Sequence, residues 1–143
     1  MSNWVETKIR YNKVMENGML KSVTETNFVD ALSFTEAEAR IIKEMKPYIS
    51  GEFAVSAVKK TKISEVFYDN KRDMWYKVKA IFITLDEKSG IEKEKASYFL
   101  VQAGDFHNAL ENFMDGMKGT MADFRIASIL ETDIMDVFNA NLE

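Results

Sequence analysis

The sequence predicts an α+β fold: a tandem pseudo-twofold duplication of a ββαβ unit, with an antiparallel-rich sheet, two main helices and short C-terminal helical turns. Three observations predict it. The chain resembles itself at a shift of about 71 residues, each half opens with a hairpin signal, and a capped amphipathic helix follows each hairpin. Residues 1–143 read as a single domain, with repeat one at about 3–70 and repeat two at about 74–141.

The shift of about 71 pairs Trp4 with Trp75, Lys8 with Lys79, Phe28 with Phe99 and Phe53 with Phe124. It also pairs Thr61, Ile63, Val66 and Phe67 with Thr132, Ile134, Val137 and Phe138. One further residue of shift in the middle aligns Gly18 with Gly90 and Phe34 with Phe106.

In the first half Val5, Thr7, Ile9 and Tyr11 alternate with polar residues, as a half-buried strand requires. Asn17-Gly18 is a hairpin turn signal, and a return strand runs from about Leu20 to Leu32. Ser33 through Glu38 offers two overlapping capping boxes, and Phe34, Ala37, Ile41, Ile42 and Met45 mark one helix face. Pro47 and Gly51 end that helix; Phe53, Val55 and Ala57 open a third strand. The second half repeats the order. Strands from about Met74 to Leu85 and Ile91 to Gln102 join at Lys88-Ser89-Gly90. Asp105 caps a helix whose face holds Phe106, Ala109, Leu110, Phe113, Met114 and Met117. A strand with Phe124, Ile126 and Ser128 follows. Each half then closes with Ile, Val and Phe at i, i+3 and i+4, read as a helical turn capped by Thr61 or Thr132.

Composition narrows the function classes. A chain 46% hydrophobic and 12% aromatic can build a core. With no cysteine and one histidine, His107, thiolate chemistry is excluded and histidine-based metal or triad chemistry is disfavoured. No apolar stretch suits a signal peptide or a bilayer span, so a cytoplasmic protein with no membrane partner is expected. The net charge of −4 argues against bulk electrostatic coating of nucleic acid but leaves room for a local basic face.

No phosphate-cradling glycine loop, dinucleotide fingerprint or nucleophile elbow is present, so no enzyme is expected and no cofactor. Glu36, Glu38, Glu44, Asp105, Glu111 and Asp115 fall at helix caps and wet helix faces, and His107 in a first helical turn reads as a surface residue. Met114, Met117 and Met121 form a stripe better explained as core than as a pliable groove.

The candidate site lies on the strands. Trp4, Glu6, Lys8 and Arg10 share one side of the first strand; Trp75, Lys77 and Lys79 share a side of its counterpart. Lys60 and Lys62 extend the third strand with further charge. Aromatic rings followed by cations suit single-stranded DNA or RNA, with bases stacked on indoles and lysines along phosphates. The ordinary alternative is a wet sheet face, with the two tryptophans packed at sheet ends and Glu25, Glu92 and Glu94 neutralising the lysines. The acidic and apolar C-terminal stretch from Asp133 to Glu143 reads as a docked element, since its pattern recurs at 63–67.

The string Asp30-Ala31-Leu32-Ser33-Phe34-Thr35-Glu36-Ala37-Glu38-Ala39, followed by Glu52-Phe53-Ala54-Val55-Ser56-Ala57-Val58-Lys59-Lys60-Thr61, carries a family resemblance. The chain resembles, along nearly its whole length, a family of small uncharacterised proteins of Bacteroidetes and their phages, including crAss-like phages. The resemblance implies a bacterial or phage cytoplasmic protein, in phages encoded among replication genes, and brings no catalytic or ligand residues. The expectation is thus a non-enzymatic binding protein for single-stranded nucleic acid, acting through Trp4, Lys8, Arg10, Lys60, Lys62, Trp75, Lys77 and Lys79. The alternative is a protein-interaction or regulatory adaptor that binds a protein partner, or itself, through sheet edges.

Overall fold

The computed structural model describes residues 3–139, which are mostly sheet, with eight strands in two sheets and two helices. In chain order these are β1 (Trp4–Val14), β2 (Leu20–Asp30), α1 (Phe34–Met45), β3 (Phe53–Lys60), β4 (Ile63–Phe67), β5 (Met74–Leu85), β6 (Glu92–Ala103), α2 (Phe106–Gly116), β7 (Asp123–Glu131) and β8 (Ile134–Phe138). The chain divides into two compact units, Met1–Thr61 with Asp133–Glu143, and Lys62–Thr132.

The first unit is a sheet of order β3-β1-β2-β8 with α1 on one face. β1 and β2 form the expected hairpin, with Thr7 opposite Asn27 and Val5 opposite Val29. At its tip Gly18 adopts φ +81, a conformation that costs glycine no Cβ clash. Ser33 caps α1 by accepting from the Glu36 amide at 3.1 Å, while the Glu36 carboxylate accepts from the Leu32 amide. Helix residues Ala37, Ile41 and Met45 pack on Val5, Ile9 and Val29. The buried face is narrower than expected, because Phe34 is exposed and Ile42 only half-buried. β3 pairs antiparallel with β1, and a slip between Lys8 and Ile9 leaves Ser56 outside the pairing. That bulge puts Phe53, Val55 and Val58, rather than Ala57, on the helix side.

The second unit has the order β4-β6-β5-β7 with α2 on one face. Val78 stands opposite Phe99, and Asp105 caps α2 by accepting from the Asn108 amide at 2.8 Å. A slip between Lys79 and Ala80 brings Phe124, Ile126 and Ile129 onto the core, in place of the expected Ser128. Phe67, Phe82, Phe99, Phe113 and Phe124 form a continuous aromatic cluster, with ring centroids 5.2–6.4 Å apart. Of the methionine stripe only Met117 enters the core; Met114 is exposed and Met121 is 97% exposed.

The expected helical turns are strands. β4 lies parallel to β6 and β8 parallel to β2. In each the register slips once, leaving Ser64 or Met135 unpaired. Ile63 and Val66 consequently sit beside Tyr98 and Leu100, two residues apart on one face of β6. Ile134 and Val137 likewise sit beside Thr26 and Phe28. A bulge converts alternation into an i, i+3 spacing, which sequence periodicity reads as helix. Thr61 and Thr132 cap no helix. Their hydroxyls donate to the backbone carbonyls of Trp4 and Trp75 at 2.6 and 2.7 Å. Residues 63–67, expected to finish the first repeat, belong to the second unit. No helix among the described residues is long and apolar enough to cross a membrane.

Candidate functional site

Both tryptophans that lead the expected strips are buried. Trp4 is 5% exposed and Trp75 is 1% exposed, so neither indole offers a face for a base to stack on. Lys8 and Arg10 are exposed on the first sheet's face away from α1, and Glu6 between them and Trp4 is half-buried. Lys60 pairs with Val5 and therefore lies on the opposite side of that sheet, the one α1 covers; Lys59, opposite Glu6, shares the side of Lys8. Lys62 falls between β3 and β4 and extends neither. In the second unit Lys77 is exposed, with its ammonium 5.0 Å from the Tyr98 ring centre, and Lys79 is half-buried. Two of the glutamates expected to neutralise the lysines have other partners. Glu25 accepts a hydrogen bond from Tyr11 on the helix side, and Glu94 pairs with Arg125 at 2.8 Å. Glu94 holds Arg125 above its usual range, and Arg125 holds the Glu94 carboxyl below its own, first by the hydrogen bond and then by charge.

The first unit offers a different constellation. A cleft of about 330 Å³ lies on the helix side of its sheet, near the C-terminal end of α1, among Tyr11, Glu25, Asn27, Met45, Tyr48, Ile49, Met135, Asp136 and Phe138. The strands place its polar groups. Glu25 and Asn27 are two residues apart on β2 and so face the same way, and Asp136 pairs with Asn27 across the parallel β2–β8 ladder. The Tyr11 hydroxyl reaches Glu25 Oε1 at 2.6 Å. That bond, then burial, then the carboxylate's charge push the phenol from 10.0 up to about 12. Asp136 Oδ1 accepts from the Val137 amide at 2.8 Å, which fixes this carboxylate at the edge strand.

Asn27 is the anomaly. It is 1% exposed, and neither its Nδ2 nor its Oδ1 has a hydrogen-bond partner. The backbone beside it is satisfied, since Thr7 Oγ1 donates to the Asn27 carbonyl at 2.9 Å. A buried amide left unpaired costs about 1–3 kcal/mol per polar group by the measure of protein substitutions. The second unit shows that the framework does not demand it. At the matching registers Val78 stands for Thr7, Phe99 for Asn27, Ser97 for Glu25 and Phe82 for Tyr11. There the rings of Phe82 and Phe99, at the registers of Tyr11 and Asn27, pack with centroids 6.4 Å apart in the core.

A second depression, beside the hairpin tip at residues 13–17, is lined by exposed side chains alone and holds no buried polar atom. No group of three or more His, Cys, Asp or Glu side chains among the described residues could hold a metal ion. His107 is exposed beside Phe106. Asp105 and Glu36 serve as caps, and Glu44 meets Arg40 one helical turn away.

Sequence reasoning missed Asn27 because it follows a polar run, Thr24-Glu25-Thr26, that reads as a wet strand. The available signal was the lengths of the two hairpins. The second is one residue longer, so the register sets Asn27, not Phe28, against Phe99. A family model described as Domain of unknown function (DUF4494) matches residues 3–140. No curated protein and no solved structure matches the chain.

Proposed function

The chain belongs to that family, a domain of unknown function, and we propose from the geometry of its own site that it is a non-enzymatic binding protein holding a small organic ligand in the first unit's cleft. The observation that carries the reading is the buried, unpartnered Asn27 amide in the cleft's lining. An unsatisfied polar group kept at a cost to stability is expected where a ligand supplies the missing partner.

The test needs no ligand. Asn27→Val places an apolar, strand-favouring side chain where the second unit carries Phe99, and is expected to raise stability by about 1–2 kcal/mol in urea unfolding. A loss of stability of similar size would mean that Asn27 serves the fold, and the reading would be withdrawn.

The two units also support a tandem duplication as their origin. Element order, cap chemistry, the bulges at Ser56 and Ser64, and the threonine-to-tryptophan-carbonyl bonds all recur. The adaptor reading keeps one observation of its own, the exposed apolar side chains Val14, Met15, Met19 and Leu20 at the first hairpin tip. The nucleic-acid reading keeps exposed cations but loses both expected indole platforms, and is the weakest of the three.

A further inference from the structure

We propose that the cleft selects an organic cation, a primary ammonium or guanidinium group on a short apolar stem. This rests on the ligand-binding reading above and names the chemistry it would take. The lining carries two carboxylates, Glu25 and Asp136, and no lysine or arginine. They flank Asn27, Glu25 two residues along β2 and Asp136 across the ladder on β8. Tyr11 uses only Oε1 of Glu25, and the Val137 amide only Oδ1 of Asp136, so each carboxylate keeps acceptor capacity.

Acidic residues alone would not make a site; the buried amide supplies the independent sign. Asn27 Oδ1 and Nδ2 both lack a partner, and an ammonium or guanidinium, made of donors, answers Oδ1. Met45 is the last residue of α1 and Tyr48 and Ile49 follow it, so the cleft lies by the helix's C-terminal end, whose partial negative charge also favours a cation. The remaining walls suit a stem. Met45, Met135, Ile49 and Phe138 are apolar, and Tyr48, 77% exposed at the rim, offers a ring face to a guanidinium plane. An anion would meet Glu25, Asp136 and the helix end together, which removes phosphate and carboxylate ligands. The second unit keeps an acid, Glu65 beside Phe99, at the place of Asp136, but has Ser97 and Phe99 in place of Glu25 and Asn27, so one site per chain is expected.

The probe is n-butylguanidine, titrated into the isotopically labelled full chain and followed by the Asn27 side-chain amide signal in nuclear magnetic resonance. A saturable shift with a midpoint on the order of 1 mM is expected for so small a ligand. Valeramide and valerate, neutral and anionic probes of similar size, should bind at least about tenfold more weakly. Glu25→Gln, which can still accept from Tyr11, and Asp136→Asn should each weaken n-butylguanidine about fivefold to tenfold. Equal binding of the three probes, or no movement of the Asn27 signal by n-butylguanidine, overturns the cation assignment. That failure leaves a stabilised Asn27→Val variant, and with it the ligand-binding reading, intact. Destabilisation by Asn27→Val removes both.

Discussion

Tyr11 and Glu25 make a hydrogen bond whose pH dependence can be read directly. The folded state raises the phenol from 10.0 to about 12, so it binds the proton more tightly than the unfolded chain does. The stabilisation is therefore complete below pH 10 and is lost as pH rises through about 12. Tyr11→Phe should be less stable than the parent by about 0.5–1.5 kcal/mol at neutral pH, the ordinary worth of such a bond. The gap should close across that alkaline window when both are unfolded in urea at matched pH. A gap that holds constant to pH 12 would show that the hydroxyl contributes nothing through Glu25. At this scale the sequence was partly legible. Alternation put Val5, Thr7, Ile9 and Tyr11 on one face correctly, and α1 covers that face. Alternation does not say how much of the other face is also covered, and there the Trp4 indole is buried while Lys8 is exposed.

Among the elements, hairpins and helices were legible because their signals are local. A glycine turn and a reciprocal cap depend on a few adjacent residues and leave the same marks wherever they occur. β4 and β8 were not legible, because a bulged strand carries a helical spacing and its partner lies far along the chain. The same reason hid Asn27, whose neighbour Asp136 comes from β8. β8 is an edge strand that buries Ile134 and Val137 and covers the outer side of β2. Deleting 133–143 is expected to uncover that edge and lower stability by several kcal/mol, of the order of two large apolar side chains returned to water. Size measurements should show concentration-dependent association through the freed edge of β2. A shortened chain that stays monomeric and keeps its melting temperature would show β8 to be an accessory.

For the molecule as a whole, the decisive quantities are charge and surface. The net charge of −4 opposes bulk attraction to nucleic acid, and burial of Trp4 and Trp75 removes the two indoles expected to stack bases. Titration with labelled single-stranded DNA at about 20 and 200 mM salt is expected to give no saturable binding at either. Tight binding that falls steeply with salt would restore the nucleic-acid reading through Lys8, Arg10, Lys77 and Lys79, without stacking on Trp4 or Trp75. The α+β composition of the whole was legible from period and turn chemistry. The division of strands between the two units was not, since nothing local to residues 63–67 says which sheet they will join.

The placing of β8 in the first unit has a consequence for how the protein is made. β1, β2, α1 and β3 leave the ribosome early, yet the strand that seals their sheet is translated roughly a hundred residues after β2, about 5–20 s later at ordinary synthesis rates. The second unit has all four of its strands in one continuous stretch and can close first, so the half that is born last is ready to fold before the half that is born first.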